Sequence, residues 1–221
     1  MHAKKIKTLL AVMIIVLAAG IYCLRTFELP PRLNPQQPHL ALGEALADQA
    51  VKLAGGGGRI TLIAPDITLF KYPGAELQLK AFHGALRKAG SSVAVTNLIR
   101  LDPLRLMRVP PGDFVEILRK KSETDVVVSL LSPSELTAEQ QARLPEKRPH
   151  VIAVCSGETP RQVNLKSLFD ERALEVVVIS RAVPSPNTPP TDNLPDWFGA
   201  YFQMITSKNL NDLPAFSAAG R

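Results

Sequence analysis

The chain has 221 residues, with 26 Lys and Arg against 20 Asp and Glu, for a net charge of +6. Four of those six positive charges lie in the first 25 residues, so the rest is nearly neutral and lacks the basic footprint of a nucleic-acid binder. Cys23 and Cys155 fall in regions of opposite character, which excludes a disulfide framework, so a hydrophobic core has to hold the fold.

The N-terminus reads MHAKKIK followed by an uncharged, mostly apolar run, Thr8–Leu24. That run is at the short end of what spans a bilayer as a helix. Lys4, Lys5 and Lys7 precede it, and only Arg25 and Arg32 follow closely, so the positive-inside bias places the N-terminus in the cytoplasm and the remainder outside. Ala18-Ala19-Gly20 offers a signal-peptidase site, and Cys23 a lipoprotein site. Ile21 and Tyr22 are too bulky for the latter, and apolar residues run on to Leu24 past the former. An uncleaved single-pass anchor in the inner membrane is therefore expected.

The expected organisation is an anchor over 1–25, a spacer over 26–37, an α/β domain over 38–208 and a flexible tail over 209–221. FELPPRLNPQQ is proline-rich and reads as a stiff, extended spacer. LALGEALADQAVKLA (40–54) has helical periodicity and ends in Gly55–Gly58, a stop signal. RITLIA (59–64) predicts a strand, and AELQLKAFHGALRKAG (75–90) an amphipathic helix closed by Gly90. SVAVTNLI (92–99) predicts a second strand. Asp113 with Glu116 reads as a capping box opening a helix, DFVEILRKKS. DVVVSLL (125–131) predicts a third strand, and Thr137 with Gln140 starts a short helix. HVIAVCS (150–156) is the fourth strand, QVNLKSLFDER a helix and LEVVVIS (174–180) the fifth strand. After a proline-dense loop, DWFGAYFQMITSKN reads as a last helix whose aromatic face packs on the sheet or the first helix.

The strands are short, continuous and rich in valine and isoleucine, the pattern of parallel strands covered on both faces. Their alternation with helices predicts a three-layer α/β fold with about five parallel strands in flavodoxin-like order, preceded by one transmembrane helix.

Few residues announce chemistry. Cys155 and Arg161 stand in C-x5-R spacing after an apolar strand, which resembles the loop of low-molecular-weight tyrosine phosphatases. In such an enzyme Asp66 or Asp102 would be the acid. Glu158 puts a negative charge inside the cradle, Pro160 removes an N–H donor from it, and the loop follows the fourth strand instead of the first. A buried thiol at a strand end is the reading preferred here. Gly55–Gly58 precedes a strand instead of opening a helix, which is the wrong order for a nucleotide loop. His2, His39, His83 and His150 are far apart, so neither a metal nor a cofactor is expected. The stretch LIRLDPLRLMRVPPGD (98–113) mixes arginines with apolar residues: it is either a long connection whose apolar residues tuck under the sheet edge while the arginines stay solvated, or a partner surface with Arg100, Arg105, Met107 and Arg108 as candidates.

The turn PDITLFKYPGAELQLKAFHGALRKAG, followed by a valine-rich strand, resembles one lobe of type I periplasmic solute-binding proteins over about residues 59–181. That family binds ligand between two lobes, and only one is present here. The expected function is a membrane-anchored, envelope-facing, non-catalytic binding or assembly module, whose partner is a small ligand or an envelope complex. The alternatives are the phosphatase-like enzyme and a structural subunit of an envelope machine. A ligand crevice belongs at the carboxyl ends of the strands, where Asp66, Asn97, Ser132, Ser156 and Arg181 are the candidate contacts.

Overall fold

The computed structural model of the chain describes residues 13, 34–68, 72–100, 107–181 and 193–215. The chain divides into two units, Met1–Asn34 and Pro35–Arg221, and the sheet and its helices belong to the second. Among the described residues no helix is long and apolar enough to cross a membrane. The segment 8–24, expected to do so, lies outside them apart from Met13.

Helix α1 (Gln37–Ala54) buries one stripe of small and aliphatic residues, including Leu42, Leu46 and Ala50. Gly55 ends it at φ 53°, a left-handed value that costs glycine nothing. Strand β1 (Ile60–Pro65) is buried along its whole length. Helix α2 (Pro73–Lys88) returns the chain to β2 (Val93–Ile99), which pairs parallel to β1. After helix α3 (Pro111–Arg119), β3 (Val126–Ser129) pairs with the other side of β1. Helix α4 (Ala138–Ala142), β4 (His150–Cys155), α5 (Thr159–Gln162), α6 (Leu165–Asp170) and β5 (Val176–Ser180) continue the winding. The strand order is β2-β1-β3-β4-β5, all parallel, as a flavodoxin-like sheet requires.

A sixth strand departs from expectation. Helix α7 (Leu194–Tyr201) stops short, and Phe202–Thr206 forms β6, antiparallel to β5. The sheet is therefore six-stranded and mixed. FQMIT is aromatic and β-branched enough to pair, and its pairing covers the edge that β5 would otherwise expose. The aromatic helix itself packs as expected, since Phe198 and Tyr201 join the core face that also holds Leu42, Leu46 and Leu86.

Side chains alternate across β1, β3, β4 and β5. Leu62, Val128, Ile152 and Val178 face α1, α2 and α7, whereas Ile63, Val127, Val151 and Val177 face α3 and α6. Leu210 and Leu213, at a 3-10 turn over Leu210–Asp212, pack on the second core. The expectation of strands covered on both faces fails at β2. This edge strand leaves Val95 45% and Leu98 58% exposed.

Two predicted caps divide. At α4, Thr137 Oγ1 accepts from Gln140 N at 3.2 Å and Gln140 Oε1 accepts from Thr137 N at 2.9 Å, a full capping box. At α3 no such box forms. The helix starts two residues earlier, at Pro111, with Pro110 as N-cap and no side-chain cap. Pro111 sets the helical φ and has no N–H to satisfy, so Asp113 ends up inside the first turn.

Candidate functional site

The carboxyl edge of the sheet is built from the segments that leave β1, β2, β3, β4 and β5. Asp66 leaves β1, and its N–H donates to Ile99 O at 2.8 Å, so β1 stays with β2 and parts from β3. Its carboxylate accepts from Thr68 Oγ1 at 2.6 Å and Thr68 N at 3.0 Å, closing a tight turn. The Thr68 hydroxyl and N–H, aided by the charge of Arg100, hold the Asp66 carboxyl below its ordinary pKa. Asp66 and Arg100 thus share one corner.

The parting of β1 and β3 is where a doubly wound sheet opens its crevice. Here residues 107–109 pair with the backbone that follows β3. Backbone N–H groups two residues apart on a strand point to the same side. Leu130 N–H donates to Ile63 O of β1 at 2.9 Å, and Ser132 N–H, on that same side, donates to Met107 O at 3.1 Å. Val109 N–H then donates to Ser132 O at 2.9 Å, making a parallel bridge between Arg108 and Ser132. Residues 107–109 therefore form a strap bridged to Ser132, just beyond the end of β3. Val109 is fully buried, and Ser134 Oγ donates to its carbonyl. Met107 remains 44% exposed.

Ser132 is buried, and its hydroxyl meets Cys155 Sγ at 3.0 Å. Burial pushes the Cys155 thiol up to about 12, and the Ser132 hydroxyl only partly offsets this. At neutral pH it is a thiol buried in the core that holds Ile179 and Leu165, not a thiolate nucleophile. Arg161 is exposed and pairs with Glu158 at 3.3 Å. The Cys155–Arg161 spacing does not converge on one cradle.

The other candidates scatter. Ser156 is exposed after β4. Arg181 turns its Nε to Gly199 O at 2.9 Å and Phe202 O at 3.2 Å, tying β5 to α7 and β6. Asn97 is half-buried within β2, opposite Ile63 and short of the strand end. Arg105 and Asp102 lie outside the described residues.

The amino edge carries features with no motif in the sequence. A cleft of about 650 Å³ is lined by His150 and by charged groups of both signs, among them Lys147, Asp170, Arg172 and Glu175. His150 Nδ1 meets Glu175 Oε2, and Lys147 Nζ meets Glu123 Oε1 at 2.9 Å. Nearby, Asp125 is a buried hub. It accepts from Arg59 N at 3.1 Å, from the Arg59 guanidinium at 3.3 Å and from Ser122 N at 3.0 Å. Burial alone would raise its pKa, but these donors outweigh burial and hold it at about 2.

The fold and its edges define a doubly wound α/β domain in which, among the described residues, 107–109 bridge to Ser132 near the switch point. No protein-family model matches the sequence, and no curated protein matches it. Among solved structures, a carbohydrate-transporter solute-binding protein from Agrobacterium radiobacter, in complex with D-arabinose, superposes with a TM-score of 0.46 at 11% identity, over 80% of this chain and 61% of that one. The Caulobacter myo-inositol binding protein, bound to myo-inositol, gives 0.41 at 13% identity over 64% and 46%. A ureidoglycine–glyoxylate aminotransferase from Bacillus subtilis gives 0.41 at 12% identity over 79% and 38%. This chain spans 61% of the length of the first and less than half of the other two. The resemblance to a solute-binding lobe read over residues 59–181 recurs here as a likeness of fold.

Proposed function

We propose that the chain is a membrane-tethered, non-catalytic assembly module that receives a macromolecular partner on the carboxyl edge of its sheet, outside the cytoplasm. The strap of residues 107–109 carries this reading. Backbone paired to Ser132 lies near the switch point, where a doubly wound sheet usually takes a small ligand, and this supports a larger partner. What the described residues of the edge offer outward is Arg100 and Met107 exposed and Arg108 half-buried, with Asp66 beside Arg100. Arginine and methionine favour such interfaces. The buried, protonated Cys155 supports the absence of thiol chemistry.

In this reading residues 8–24 are the tether, the lysines before them stay in the cytoplasm, and the proline-rich spacer holds the domain off the bilayer. The test has two arms. Protease protection in spheroplasts should leave the N-terminus shielded and the domain cleaved. Purification of the tagged full chain in mild detergent should retain one stoichiometric partner, lost in Arg100→Glu/Met107→Asp. A protected domain sinks the topology. A small molecule carried through purification, with no protein partner, sinks the assembly role.

A further inference from the structure

Among the described residues β2 ends the sheet on one side. From Ser91 to Ile99 it carries no charged residue and no proline, two of the devices that blunt an exposed edge, and a register shift between Val93 and Val95 is confined to its start. Val95 and Leu98, both exposed, stand on opposite faces of it. Helix α2 covers β1 and β2 on one face, with Phe82 and Leu86 in the same core as Ile60 and Leu62 and with Val93 packed against it. Its flank toward α1 is set by Gly43, which lies against Gln78, Ala81 and Phe82. On a helical wheel the opposite flank, which looks out past β2, is Glu76, Lys80, His83 and Arg87. All four are exposed.

We infer that β2 pairs antiparallel with β2 of a second copy of this chain, continuing the sheet through a two-fold axis. The charge pattern of α2 selects that occupant. A two-fold axis normal to the sheet through Thr96, the middle of β2, sets Thr96 opposite itself and sets α2 antiparallel to its symmetry mate. Strands are spaced by ~4.8 Å, so helices lying over the last two strands of each copy run ~10 Å apart, a normal packing distance. In that arrangement Glu76 meets Arg87 of the second copy, and Lys80 meets His83. The acidic start of the stripe faces its basic end, twice per dimer, which gives an isologous interface two complementary pairs, while Lys80 beside His83 adds no attraction. A partner with a charged strand or a uniformly charged helix would not satisfy both halves.

The experiment uses the full chain in mild detergent, followed by analytical ultracentrifugation. The wild type sediments as a dimer. Thr96→Lys sets like charges opposite each other and weakens association by at least about tenfold. Glu76→Lys weakens it by about tenfold, and Glu76→Lys/Arg87→Glu restores it to within about threefold, because each change is made twice per dimer. In a Cys23→Ser background, Thr96→Cys forms a disulfide-linked dimer on mild oxidation, whereas Lys52→Cys on α1 does not. This arm stands even if Thr96→Lys folds poorly. A monomeric wild type, a dimer indifferent to Thr96→Lys, or a charge swap that fails to rescue overturns the inference.

Discussion

Asp125→Asn is the sharpest test of how the amino edge is held. The carboxylate joins the starts of β1 and β3 by accepting from Arg59 N, the Arg59 guanidinium and Ser122 N, while its side chain is only 3% exposed. Its folded pKa of about 2 lies below the ordinary 3.8. A depression of nearly two units is about 2 kcal/mol of stability at neutral pH. The Arg59 side chain is 70% exposed, so its share is screened by solvent, leaving about 1.5 kcal/mol. The sign follows from the depressed pKa. The stabilisation is complete above the unfolded value and is lost as pH falls through about 4 to about 2. Urea unfolding can be followed by the fluorescence of Trp197, which is the only tryptophan and is 5% exposed. Asp125→Asn should lose about 1.5 kcal/mol at pH 7 and almost nothing, relative to wild type, at pH 2. A deficit below about 0.5 kcal/mol at pH 7, or one of equal size at both pH values, would refute the reasoning.

Other expectations are independent of that hub. A Cβ at Gly43 would meet Gln78 O at 2.3 Å and Ala81 Cβ at 2.9 Å, so Gly43→Ala should force α1 from α2 and cost about 1–3 kcal/mol in the same assay. Arg172 holds φ 53° just past α6, where a side chain is strained, so Arg172→Gly should raise stability by about 0.5–1 kcal/mol; a loss would mean that the arginine side chain makes a compensating contact. In a Cys23→Ser background, Cys155 should react with a thiol reagent at pH 8 only as fast as the domain unfolds, because burial holds it protonated. Labelling faster than unfolding would contradict its burial.

The parallel sheet was legible because valine-rich runs such as Val126–Ser129 lie between helical segments of clear period, and burial on both faces leaves no alternation to confuse them. β6 was not legible. An aromatic helix runs directly into FQMIT with no glycine or proline between, and only the need of β5 for a partner decides the switch. The box at Asp113 was misplaced because Pro111 starts α3 by its own ring, a stronger local constraint than a carboxylate cap. The exposure of β2 depends on what does not flank it, which no local pattern records. The candidate site was legible only as a location. Ser132 and Arg108 were both singled out, one as a ligand contact and one as a partner contact. That they pair with each other depends on hydrogen bonds across more than twenty residues of chain. The charged cleft at the amino edge draws on segments before β3, β4 and β5 that share no motif.

The most direct measurement of the central claim is the stoichiometry of what the full chain carries out of the envelope, wild type beside Arg100→Glu/Met107→Asp. A strap bridged to Ser132 beside an exposed Arg100 and Met107 predicts one protein partner at a fixed ratio for the wild type, and loss of that partner in a variant that still melts at the wild-type temperature. Equal retention of the partner by the variant, or a tightly held small molecule in place of any protein, would contradict it.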